Sequence, residues 1–139
     1  MADVPVVVPI QIHTPHRLIT KTGDGRDLVV VSGYAEVRGG DLQGNPNGTW
    51  RHRDLSLFPV GGDWREPPHD VVPVVSMTSI MNVDVATNAG WAIDDCRVQH
   101  VGGPGKHQVG LLCRVGVRDR DGFMFRVNFY VTMIGHLLP

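Results

Sequence analysis

Between residues 109 and 133, apolar side chains recur at every second position. Val109, Leu111, Cys113, Val115 and Val117 form one run, with Arg114 and Arg118 on the opposite parity. Phe123, Phe125, Val127, Phe129, Val131 and Met133 form the next, alternating with Arg126, Asn128, Tyr130 and Thr132. A period of two places these residues on one face of a strand, whereas a helix would scatter them around its axis. No stripe of helical period and comparable length competes with it.

The same alternation predicts strands at 4–12, 16–21, 28–38, 54–60, 71–86, 91–100, 108–118 and 123–134, separated by clusters of Gly, Pro, Asn and Asp. With 17 glycines and 10 prolines in 139 residues, turns are frequent, and the many valines argue against disorder. The expected fold is all-β: an antiparallel β-sandwich or small barrel with a C-terminal meander and an extended N-terminal arm. Residues 1–15 are expected as an arm or edge strand and 16–139 as one β-sandwich domain. Within the arm, Val4-Pro5-Val6-Val7-Val8-Pro9-Ile10 suits either a neighbouring subunit or an edge strand of its own subunit.

Three hairpins are expected. Asp24-Gly25 as a two-residue turn sets Lys21 opposite Leu28 and Ile19 opposite Val30. A turn centred on Arg120 sets Val117 opposite Phe123, Val115 opposite Phe125, Cys113 opposite Val127 and Leu111 opposite Phe129. A turn between Pro104 and Gly105 sets Cys96 opposite Cys113 and Val98 opposite Leu111. That cysteine pair reads either as a cross-strand disulfide, worth about 2–4 kcal/mol, or as two buried thiols. Residues 1–12 carry Asp3 and two prolines where a signal peptide has a cationic start and an apolar core. The expectation is therefore synthesis in the cytoplasm, free or as part of a virion or other assembly, and this favours thiols.

The formal net charge of −1 argues against nucleic-acid binding and against a polybasic membrane anchor. No apolar run is long enough to insert in a membrane. Seven histidines are present, but no HExxH, paired CxxC or clustered three-histidine motif, so no metal and no cofactor is expected. Neither a GxSxG elbow nor a P-loop occurs. Asp94-Asp95 are neighbours, which on a regular strand point to opposite faces, and Asp119-Arg120-Asp121-Gly122 reads as an Asp-rich turn. No catalytic residue is assigned.

The tryptophans carry the functional expectation. Trp50 stands beside Arg51 and His52, Trp64 between Asp63 and Arg65, and Trp91 near Asn88, Asp94 and Asp95. An exposed indole stacks on the C–H face of a sugar ring while neighbouring polar groups take its hydroxyls. The same grouping suits a protein interface, and the structural alternative is a Trp plugging each end of the sandwich. The candidate ligand-binding set is Trp50, Trp64, Trp91, Arg51, Arg65, Asp63, Asn47 and Asp94. Asn47 lies in the polar loop 39–53, within the formal sequon Asn47-Gly48-Thr49.

Phe58, Pro67-Pro68, Val71–Val75, Asp84, a later valine-rich strand and Gly122-Phe123 followed by an alternating strand resemble the H-type lectin domain over residues 54–137. The resemblance implies a six-stranded antiparallel sandwich, trimerisation and binding of galactose-type sugars at subunit edges. The family's Trp-centred binding strand after Gly-Phe is here Met124-Phe125-Arg126-Val127-Asn128-Phe129-Tyr130, so no family binding residue is carried over. The expected function is a non-catalytic carbohydrate- or surface-recognition module acting as a homo-oligomer with a glycan ligand. The alternatives are a structural assembly protein, such as a virion decoration or tail component, and a small β-barrel enzyme.

Overall fold

The computed structural model describes residues 6–7, 10–38, 41–82 and 89–139. These form eight strands: β1 (Val6–Val7), β2 (Ile10–Lys21), β3 (Asp27–Val37), β4 (Trp50–Trp64), β5 (His69–Asn82), β6 (Gly90–Gly103), β7 (Lys106–Arg118) and β8 (Gly122–Gly135). Sheet A runs β1-β4-β7-β6 and sheet B runs β2-β3-β8-β5. The pairings are antiparallel except for the short parallel contact of β1 with β4. The sheets pack face to face as a β-sandwich. Segment 54–137 supplies most of β4 and all of β5 to β8, and residues 6–37 complete both sheets with β1, β2 and β3.

The core follows the alternation. Leu55 and Leu57 of β4 and the odd-numbered residues Val109 to Val117 of β7 are buried from sheet A. Val29, Val31 and Ala35 of β3 meet them from sheet B, with Val127, Phe129, Val131 and Met133 of β8. The alternation breaks at the start of β8, where Met124 is buried and Phe123 and Phe125 are only partly so. The segment after β3 explains this: the Leu42 carbonyl accepts the Met124 amide, and Leu42 is buried in the same cluster.

The expected β7–β8 hairpin does not form. β7 pairs with β4 and β6, whereas β8 pairs with β3 and β5. The Asp119–Asp121 corner carries the chain from one sheet to the other, with Asp119 at φ +77° and its carbonyl accepting the Gly122 amide. From Val127 onward the inward face is as expected, at Phe123 and Phe125 it is not, and the partnership differs because both strands turn apolar residues inward from opposite sides of the core. The Pro104-Gly105 hairpin forms in the expected register, with Cys96 opposite Cys113 and Val98 opposite Leu111. The two sulfurs are thiols 3.4 Å apart, and burial raises the pKa of both.

The first hairpin is one residue out of the expected register: Lys21 faces Asp27 and Ile19 faces Val29. Its loop has three residues rather than two. The Gly25 amide donates to the Thr22 carbonyl, and Gly25 then takes φ +85°, a left-handed position that glycine fills without strain. The expected boundary at residue 15 falls inside β2, at a register shift between His13 and His16. Residues 1–5 and 8–9 of the arm, Gly39-Gly40, and 83–88 with Asp84 and Asn88 lie outside the described residues.

Asp27, at the start of β3, ties the hairpin to the chain's far end. It lies 2.7 Å from Lys21 Nζ and accepts the Leu137 amide at 3.0 Å. Lys21 first, and then this amide, hold its carboxyl below the ordinary range. A folded-state pKa below the unfolded value stabilises the fold fully above the unfolded pKa of about 3.9, and the stabilisation is lost as pH falls through the folded value. The denaturant midpoint should therefore fall with pH below about 4. The variant Asp27→Asn should flatten that fall, and an identical pH slope in both proteins would exclude Asp27 as its source.

The outer faces of the sheets differ in kind. On sheet B, register places Leu18, Val30, Thr132 and Val72 in one row across all four strands. The next row holds His16, Ser32, Tyr130 and Val74. Leu18, Val72, Val74 and Tyr130 are 65, 55, 56 and 46% exposed. The outer face of sheet A is polar and carries the candidate site.

Candidate functional site

Trp50 opens β4 on the outward parity, opposite to the buried Leu55 and Leu57. Register brings it beside Arg118 of β7, and Gly90 of β6 pairs with the same Arg118. His52, two residues on, shares Trp50's face and pairs with Gly116. The glycines are what allow the indole to lie down on the sheet. A Cβ on Gly116 would stand 3.1 Å from the Trp50 and His52 rings, and one on Gly90 would stand 3.1 Å from Trp50. Aromatic rings laid over strand glycines restore packing that the missing side chains would otherwise forgo.

Polar groups frame this platform. The Arg118 guanidinium is 5.2 Å from the Trp50 ring centroid, within the range of a cation–π contact. The Trp50 and His52 rings stack with centroids 6.4 Å apart. His52 Nε2 lies 3.0 Å from Asp94 Oδ2. Beyond it, Asp54 pairs with Arg114 at 3.4 Å and Asp95 with Arg97 at 2.6 Å. These four residues and Leu112 line a small surface depression.

Asp94 and Asp95 both reach this outer face, contrary to the expectation for neighbours on a strand. The register of β6 against β7 shifts between Ile93 and Asp95, and Asp94 is the extra residue. A bulge of this kind re-aims side chains. It sends Asp94 toward His52 and sets Asp95 opposite Arg114.

The other expected site residues are dispersed. Trp64 is a correction: it is 0% exposed, at the far end of β4, and its ring packs against Gly135. Its indole N–H finds no hydrogen-bond partner among the described residues. Trp91 has inward parity, packs against the core and donates its indole N–H to the Phe123 carbonyl at 2.8 Å. Trp64 and Trp91 therefore plug opposite ends of the sandwich, Trp64 fully buried and Trp91 partly so, with its ring turned to the core. Asp63 accepts Gln108 Nε2 at 2.9 Å at the Trp64 end, where exposed Arg65 donates its amide to the His136 carbonyl. β4 separates that end from Trp50 by roughly 40 Å of extended chain.

Near Trp50, Arg51 donates from Nε to Asn45 Oδ1 at 2.9 Å. Asn47 accepts from the amide and hydroxyl of Thr49, which closes a local turn. Of the eight expected residues, Trp50 and Asp94 meet in one site, with Arg51 and Asn47 at its margin. Arg118 and the Arg114 ladder were missed, because they reach Trp50 only through the long-range β4–β7 pairing. His52 was named beside Trp50, but in the expected loop 39–53; β4 instead begins at Trp50, which puts the two on one face.

Among the described residues no group of three or more His, Cys, Asp or Glu is placed to hold a metal ion. Among the same residues no helix is long and apolar enough to cross a membrane. No protein-family model, curated protein or solved structure matches the chain.

Proposed function

We propose that this protein is a non-catalytic recognition module that binds carbohydrate through the Trp50 face of sheet A and acts as a homo-oligomer. The observation that carries the reading is a partly exposed indole on a sheet surface, bordered by a guanidinium and a His–carboxylate pair. The apolar face of a sugar ring stacks on Trp50, and Arg118, His52 and Asp94 exchange hydrogen bonds with its hydroxyls. A structural assembly component is the second reading, favoured by the exposed apolar residues on sheet B.

A broad glycan array probed with the full chain tests the first reading. A ligand class is expected, and Trp50→Ala should weaken its binding at least about tenfold, as for a buried aromatic anchor. Asp94→Asn should weaken it less. No binding across the array, or binding indifferent to Trp50→Ala, overturns the assignment.

A further inference from the structure

We propose that the outer face of sheet B is the surface on which a second copy of this chain docks, sheet against sheet, about a two-fold axis. This rests on the homo-oligomer part of the reading above and not on its glycan part, since Trp50 lies on the other sheet.

Size is the first argument. Four strands about 4.8 Å apart, with outward rows about 6.8 Å apart along them, present roughly 700 Å² over some six rows. A standard interface takes about 800 Å² from each partner. The face matches what a stable dimer needs. Sheets packed this way lie about 10 Å apart, with their strands turned by about 30°.

Composition is the second argument. The rows from Leu18 to Val74 contain no Asp, Glu, Lys or Arg. Leu18, Val72, Val74 and Tyr130 stand out from them as exposed side chains. Neither row places a charge in the centre of the contact, where burial would require a partner.

Charge chooses the second copy and its orientation. Toward one end of the face, Glu36 of β3 and Arg126 of β8 are register neighbours, with Arg126 Nη2 3.2 Å from Glu36 Oε1. β3 and β8 are the two central strands of the sheet. A two-fold axis parallel to the strands and midway between them lays β8 of one copy over β3 of the other. Each row then meets the same row. Arg126 faces Glu36 of the partner subunit, Tyr130 faces Ser32 of the partner subunit, and Val72 faces Leu18 of the partner subunit. Each ion pair doubles into a four-membered cluster of alternating sign. An axis perpendicular to the strands would instead set this charged row against apolar ones. A surface complementary to itself under one rotation is the requirement for an isologous dimer.

Sedimentation of the full chain from about 1 to about 100 µM tests the proposal by mass action. The expected mass is twice 15.2 kDa. The double variant Val72→Lys/Val74→Lys should sediment as a monomer that still unfolds cooperatively, with the midpoint of the wild-type protein diluted to its monomer, since both side chains are exposed. Arg126→Glu should weaken association about tenfold or more, and adding Glu36→Arg should restore it. A monomer at every concentration overturns the proposal, and so does a dimer that neither set of changes disturbs. Glycan binding that persists in the monomeric variant separates the fate of this inference from that of the Trp50 site.

Discussion

Replacing Trp64 with alanine is expected to cost about 3–5 kcal/mol, or to leave no cooperative unfolding transition. The indole is fully buried where β4 ends, against Gly135, and Trp64 bridges to Leu137. The total stability of a domain this size is about 5–15 kcal/mol, so one such loss takes a large share. Trp64→Phe should cost far less, about 1 kcal/mol. It keeps most of the ring and discards a buried N–H without a partner, whose desolvation already counts against the fold. Denaturant titration of the three proteins separates these effects. Equal losses in both variants would show that burial of the ring against Gly135 is not what makes Trp64 costly to remove.

The second large effect is expected at a residue with no side chain. Gly44 sits where the loop after β3 crosses the corner between β7 and β8, and its amide donates to the Gly122 carbonyl. A Cβ there would lie 2.2 Å from the Asp119 carbonyl oxygen and 2.5 Å from both the Arg118 carbonyl carbon and the Asp119 nitrogen. All three are backbone atoms, so no side chain can swing aside. Gly44→Ala should cost about 3 kcal/mol or more, and because Arg118 borders Trp50 it should also weaken ligand binding. Gly103→Ala is the control: no atom lies within 4 Å of its Cβ position. A change within about 0.5 kcal/mol is expected there. Equal stability of the two variants would mean that the loop moves off the corner freely.

Most strands, most of their buried faces and the one hairpin with a compact Pro-Gly turn were legible in the sequence, since each depends on residues within a few positions of one another; the start of β4 at Trp50 and the inward Met124 were not. Pairing across the core was not. Val117 and Phe123 match as well across a sandwich as across a hairpin, and alternation records which way a side chain points rather than what its strand bonds to. The β6 bulge did leave a trace, because its apolar residues change parity from Trp91 and Ile93 to Cys96 and Val98. Reading that skip as an extra residue would have placed Asp94 and Asp95 on one face. Trp64 misled because it sits between Asp63 and Arg65 in a Gly- and Pro-rich stretch, while its burial is set by Gly135 and Leu137. The site was half legible: Trp50, His52 and Asp94 were picked out as residues, but their shared face depends on β4 reaching back to Trp50 and on the β6 bulge, and Arg118 enters only through register between distant strands.

Each sheet is completed by a strand that comes late in the chain. β7 lies between β4 and β6, and β8 lies between β3 and β5. During synthesis, β3, β4 and β5 leave the ribosome before the strands that will satisfy their backbone groups. The nascent chain can close the β2–β3 hairpin early, but it cannot complete either layer until both central strands have emerged. Such non-local closure folds slowly and leaves apolar edges open to neighbouring nascent chains in the meantime. Protein yield should therefore depend on how crowded its own translation is as well as on the stability of the finished sandwich.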